Sequence, residues 1–303
     1  MAIITKGMTM QVKVLIALFI TATMTVSIGA SENKVIYGED DRLDLYETTD
    51  SLHLDLARST AAMINNSKIS TTGDVTIISG STLSSRGICK TAKFAKQMTA
   101  ANCSGFLVGE DLLVTAGHCI RTQSDCDSSR WVFDFAVEVN GESASKVPTS
   151  SVYKCKSIIS RDLNRGSKND FALLRLEKKV TDRPVLKVRT EGKVSDNTAI
   201  VVIGHPIGLP TKVAAGANIR TNTNSIYFNA NLDTFGGNSG SAVFDANTGT
   251  VEGILVRGET DYIYDNAQGC RVPKQCTNSE CRGEDVTRIT NIKKLMEILT
   301  NAK

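Results

Sequence analysis

Proline is scarce in these 303 residues, five in all, and aromatic side chains make up only 5% with a single tryptophan. So little proline excludes a polyproline or collagen-like chain, and 41% hydrophobic with 22% charged residues is not the composition of a disordered one. An excess of one charge is also lacking, since 35 Lys and Arg face 32 Asp and Glu. That balance gives no reason to expect nucleic acid or an anionic membrane as the main partner. Histidine is scarcer still. With only His53, His118 and His205 in the chain, any imidazole base must be one of three residues.

What is present at the N-terminus is an export pattern. Lys6 and Lys13 precede an uncharged run from Val14 to Ser31, apolar at first and ending in the small residues Ser27, Gly29 and Ala30. This order predicts a signal peptide over residues 1–30 and a secreted protein, extracellular or periplasmic. Thr21, Thr23, Thr25 and Ser27 dilute the run, so no stable membrane insertion is expected. Eight cysteines follow, at 89, 103, 119, 126, 155, 270, 276 and 281. In an exported chain their even number predicts up to four disulfides. The competing zinc reading of Cys270, Cys276 and Cys281 lacks both the paired short hooks and a nearby histidine. No cysteine precedes Cys89, and the acidic stretch from Glu39 to Asp50 reads as exposed, so residues 31–54 are expected to be a lead-in or propeptide.

Short apolar runs bounded by turn residues recur along the rest of the chain. Gly105–Val108, Leu112–Thr115, Trp131–Val139, Phe171–Leu176, Ala199–Ile203, Ser241–Phe244 and Val251–Val256 all read as strands. Leu54–Ile64 fits either element, and Ile289, Ile292, Leu295, Met296 and Leu299 recur at helical spacing. Long helical patterns between the strands are missing, which predicts an all-β sandwich or barrel with a short C-terminal helix. The length affords two six-stranded barrels, divided in the charged stretch from Arg183 to Lys193, with boundaries near 55–185 and 186–303.

Three segments carry potential chemistry. His118 ends an apolar strand in Leu-Leu-Val-Thr-Ala-Gly-His-Cys119, although a buried structural histidine would look the same. Asp170 opens Asp-Phe-Ala-Leu-Leu-Arg-Leu176, where a carboxylate at a strand start is an ordinary turn feature. Ser239 lies in Gly236-Gly-Asn-Ser-Gly-Ser241. Flanking glycines let a nucleophile's backbone approach a carbonyl and let successive N–H groups converge on an oxyanion, but a glycine hairpin has the same composition.

Taken together, in the order His, Asp, Ser, these segments resemble the chymotrypsin/trypsin-like serine peptidases, particularly the bacterial secreted group related to glutamyl endopeptidases. Cys103-Ser-Gly-Phe-Leu-Val, Leu-Val-Thr-Ala-Gly-His-Cys119, Asn169-Asp-Phe-Ala-Leu-Leu and Gly237-Asn-Ser-Gly240 carry the likeness, which extends weakly through Val251-Glu-Gly-Ile-Leu-Val and the terminal helix. The resemblance implies two six-stranded antiparallel Greek-key barrels and hydrolysis of protein or peptide substrates through an acyl-enzyme. Its site would comprise His118, Asp170 and Ser239 as the catalytic triad and the amides of Gly237 and Ser239 as the oxyanion hole, with no metal or organic cofactor. It further implies a Cys103–Cys119 bridge beside the histidine, worth roughly 3 kcal/mol in a chain-entropy estimate. The other six cysteines allow 15 pairings.

Specificity is less sharply marked. Asp233, six residues before Ser239, stands where trypsins place the carboxylate that binds Arg or Lys, whereas a solvated turn aspartate is the plain alternative. Phe235 replaces a bridged cysteine of trypsins and Arg257 a pocket-wall tryptophan, so Arg257 either neutralises Asp233 or favours acidic substrates. Leu255 replaces the pocket histidine of glutamyl endopeptidases. Cleavage after Arg or Lys is expected, with Glu/Asp preference or a non-catalytic protein-binding relative as alternatives. Asn238 cannot form the charge pair that activates trypsins, and Val35-Ile-Tyr-Gly resembles a mature N-terminus, which puts a processing point after Lys34. His205, in Gly-His-Pro-Ile-Gly208, reads as a turn near the cleft, and His53 as a polar position alternating with apolar ones.

Overall fold

The computed structural model describes residues 35–301 and Ala2. The expected signal peptide therefore lies outside the described segment. Twelve strands form two barrels. In the first, β1 (Thr60–Asn65), β2 (Cys103–Gly109), β3 (Leu112–Thr115), β4 (Ser129–Val132), β5 (Val152–Leu163) and β6 (Asp170–Leu176) close in the order 1-2-3-6-5-4. The second contains β7 (Ala199–Gly204), β8 (Lys212–Thr221), β9 (Tyr227–Ala230), β10 (Ala242–Asp245), β11 (Val251–Arg257) and β12 (Glu284–Arg288). It closes as 7-8-9-12-11-10, the same topology repeated without a sequence repeat. Every neighbouring pair within each barrel is antiparallel.

Closure removes the free sheet edges and turns alternate side chains into two separate interiors. Trp131, Leu107, Leu113 and Leu174 fill the first, and Val202, Phe228, Val243 and Leu255 the second. A third apolar cluster joins them, with Phe106 and Val114 from one barrel meeting Val201, Phe244 and Ile254 from the other. The C-terminal helix (Lys293–Asn301) buries Leu295 in this shared layer.

Several elements depart from their sequence patterns. The run Trp131–Val139 is a strand only to Val132, because Asp134 takes a left-handed φ of 61° that ends the extended chain. The ambiguous Leu54–Ile64 divides into helix α1 (Ser51–Ala57) and β1. Asp50 caps the helix by accepting the amides of Leu52 and His53, so His53 is a buried helical residue, not one member of a strand alternation. The longest strand, β5, escapes notice because Lys154, Lys156, Ser157 and Arg161 interrupt its apolar residues.

The expected exposed lead-in is corrected most strongly. Arg42–Leu43 pairs with β8 and Ile36–Tyr37 with Gln275–Cys276, while Arg42 and Asp44 are almost fully buried. Lys212 reaches Asp44 at 2.5 Å, and burial lowers its ammonium to about 8. A charge this deep is tolerable because its partner carboxylate is present. The folded body therefore begins before residue 55. All eight cysteines are paired, as Cys89–Cys270, Cys103–Cys119, Cys126–Cys155 and Cys276–Cys281, which consumes the thiols that the zinc reading required. No helix among the described residues is long and apolar enough to cross a membrane.

Candidate active site

Strand register brings the histidine and the aspartate together. Ala172 on β6 lies opposite Thr115 on β3, so the antiparallel ladder carries Asp170 past the end of β3, level with Gly117. There the Asp170 carboxylate accepts the amide of His118 at 3.1 Å and lies 2.7 Å from its ring Nδ1. One carboxylate thus holds both the loop and the imidazole, and only 8% of the His118 side chain and 5% of the Asp170 side chain are exposed. Gly117 is required by this packing, because a Cβ there would press on Asp170 Oδ1 and on the carbonyls of Asp162 and Phe171. The His118 ring nitrogen lies within 4.8 Å of the sulfurs of Cys103 and Cys119, which the structure joins as the resemblance implied.

Ser239 arrives from the other barrel on the loop between β9 and β10. Its carbonyl accepts the amide of Ser104 at 2.8 Å, and Cys119 Sγ lies 3.7 Å from the same oxygen. Ser104 ties the two halves together at this point. Its hydroxyl donates to Gly237 O and accepts from the His205 amide, both at 2.9 Å, while its carbonyl accepts Thr115 Oγ1 at 2.7 Å. The serine loop is thereby held against the end of β3, three residues from His118.

Glycine is needed twice in this loop. Gly237 and Gly240 have φ of 93° and 89°. A Cβ on Gly237 would meet His205 O and Gly208 N, and one on Gly240 would meet Ser104 O and Thr115 Oγ1. The loop that presents Ser239 and the expected oxyanion donors therefore lies flush against backbone from both barrels. His205 is part of this packing. Fully buried and stacked on Phe135, with Nδ1 at 3.1 Å from Leu209 O, it is held neutral by a pKa that burial lowers to about 3.

The specificity residues are arranged differently from the sequence expectation. Asp233 is buried and accepts the amides of Tyr37 at 2.7 Å and Asp41 at 2.9 Å, so it grips the N-terminal segment. Arg257 does not neutralise it. The Arg257 guanidinium donates to Asp285 at 3.0 Å and to Lys168 O at 2.8 Å, because its strand runs beside β12. Phe235 packs on Tyr262, with the Arg42 guanidinium 4.2 Å above its ring. Sequence reasoning passed over Glu284, a fully buried carboxylate that accepts Thr234 Oγ1 at 2.8 Å and the Glu259 amide at 3.2 Å. Nothing in the local string Gly283-Glu-Asp-Val-Thr marks that burial before the barrel is closed.

A histidine–carboxylate pair at the seam of two six-stranded barrels, beside a glycine-bracketed serine, defines the class as a two-barrel peptidase. The trypsin-like peptidase domain matches residues 103–254, half of the chain, and the chain belongs to that family. Among solved structures it is similar to a Glu endopeptidase, with a TM-score of 0.52 and 14% identity over 89% of this chain and 100% of the other. It is also similar to the Vibrio cholerae VesB protease, with a TM-score of 0.50 and 14% identity over 88% of this chain and 68% of the other. At such identity these two likenesses speak to the fold. No curated protein matches by sequence.

The Asp233 environment has a measurable consequence. Burial pushes its carboxyl from 3.8 to about 7, against the two amides that favour the ionised form. Because the folded state holds the proton more tightly, this group's stabilisation is fully present below about pH 4 and is lost as pH rises through about 7. Denaturation midpoints measured from pH 4 to 8 should show the native protein losing stability relative to Asp233→Asn. Parallel curves for the two proteins would contradict the raised pKa.

Proposed function

We propose that this trypsin-like peptidase is a secreted serine endopeptidase that works through an acyl-enzyme. The observation that carries the proposal is the 2.7 Å contact between His118 Nδ1 and Asp170, at the seam where the Ser239 loop docks. Ser239 attacks the scissile carbonyl as His118 takes its proton. Asp170 accepts the hydrogen bond of Nδ1–H, keeps the imidazole in the tautomer whose other nitrogen is the base, and stabilises the imidazolium without itself becoming protonated. The amides of Gly237 and Ser239 hold the developing oxyanion, and His118 returns the proton to the leaving amine. Water then repeats the sequence on the ester. The chemistry needs no cofactor beyond these groups.

Kinetics of purified variants on a fluorescent casein test the assignment. Asp170→Asn should lower kcat about 10⁴-fold at neutral pH and Ser239→Ala still further, since members of a triad act as a unit. Near-native turnover in either variant would refute the roles given to these residues.

For the residue before the cut, the proposal remains Arg or Lys. Asp233 stands at the place that the family resemblance gives to the pocket carboxylate, and Arg257 is turned away from it to Asp285; the Asp233 oxygens accept the amides of Tyr37 and Asp41. A carboxylate at that place favours a cationic side chain over an acidic one. Paired chromogenic peptides ending in Arg and in Glu should show the Arg substrate cleaved at least tenfold faster in kcat/KM, the factor that 1.4 kcal/mol supplies. Faster cleavage after Glu would reverse the specificity. Maturation at Lys34–Val35 belongs to the same reading, because Val35 is fully buried and its carbonyl accepts the Thr234 amide at 3.2 Å, beside the serine loop.

A further inference from the structure

A cleft of about 460 Å³ opens directly off the serine loop, lined among others by Gly236, Gly237, Asn102, Lys68, Arg86 and Asp261. Its position follows from two contacts already described. Gly237 supplies one of the amides assigned to the oxyanion, and Asn102 precedes Cys103, whose disulfide partner Cys119 is the neighbour of His118. The leaving amine must lie near His118 to collect its proton, so the chain that departs with it runs past this disulfide and into the cleft.

The walls come from a long excursion between β1 and β2 and from the segment after β11. Lys68 Nζ donates to Ala100 O at 2.9 Å, and Arg86 Nη1 donates to Ile207 O at 2.8 Å and to Thr99 Oγ1 at 3.3 Å. These neutral partners fix both cations without cancelling their charge. The two also feel each other, since the Lys68 ammonium is lowered from its ordinary value by burial and by the Arg86 charge. Asp261, the one carboxylate among the lining residues, accepts the Gly236 amide at 3.0 Å and so braces the serine loop. The Cys89–Cys270 disulfide, together with the 3.0 Å bonds from Cys89 N to Arg271 O and from Arg271 N to Gly87 O, ties the Arg86 turn to the opposite wall. The cations are therefore preorganised on a rigid, cross-linked rim, which is what a specificity site for an anion requires.

We propose that this cleft is the leaving-group subsite and that Lys68 and Arg86 select substrates carrying Asp or Glu one or two residues after the scissile bond. The inference rests on the peptidase reading above and deepens it. Two partly solvated ion pairs are together worth about tenfold in kcat/KM at low ionic strength, and less in high salt.

The test takes a quenched fluorescent peptide that the secreted enzyme cleaves and remakes it with Glu, Ala or Lys at the first and second positions after the cut. The expected order is Glu over Ala over Lys, with a Glu-to-Lys ratio of about ten that falls as salt is raised. In the Lys68→Ala/Arg86→Ala variant that ratio should approach one, and in Lys68→Glu/Arg86→Glu it should invert. Equal rates for the three peptides, or an unchanged ratio in both variants, would overturn the subsite while leaving the peptidase reading in place. Failure of the native enzyme to cleave any peptide would contradict that reading and the subsite with it.

Discussion

The site depends on the seam at Ser104. Histidine and aspartate share one barrel, where strand register brings them together, but the serine belongs to the other and must be brought across. Ser104 does this with its amide on Ser239 O, its hydroxyl between Gly237 O and the His205 amide, and its carbonyl on Thr115 Oγ1. Each group is buried, so each bond avoids the cost of an unsatisfied polar atom. The apolar layer of Phe106, Val114, Val201 and Phe244 beneath it supplies area, but area is not directional. The hydrogen bonds set the alignment.

This division explains what the sequence made legible. His118 and Asp170 could be read because each marks the end of a strongly apolar strand, and Ser239 because closely packed glycines surround it. The Cys103–Cys119 pairing followed from the family likeness, whereas the other three bridges depend on how distant loops meet and were not decidable from spacing. Ser104 and Glu284 stayed hidden because their importance is created by closure of the barrels. The strands β5 and β8 were missed for a related reason. Their sequences, rich in Lys and Ser or in Ala and Gly, lack a clear alternation, and their extended form is imposed by neighbours.

The N-terminal segment shows how a wrong expectation arose from a sound rule. Acidic, cysteine-free residues usually lie in solvent, yet here Asp40 forks onto Arg42, Asp44 meets Lys212, and Arg42 covers Phe235. Paired charges can be buried where isolated ones cannot. Through Tyr37 and Asp41 the same segment occupies both oxygens of Asp233, placing the front of the chain immediately behind the serine loop. The N-terminal segment and the start of the serine loop are consequently linked through one carboxylate.

In the proposed mechanism a nucleophilic serine from one barrel is activated by a histidine–aspartate pair from the other. The most direct measurement is mass-spectrometric mapping of the adduct formed when the folded protein reacts with a fluorophosphonate. The expected result is one modified residue, Ser239, and loss of that adduct when His118 is replaced by Ala. Modification at Ser104 or Ser241 instead, or labelling of Ser239 that persists at full strength without His118, would contradict it.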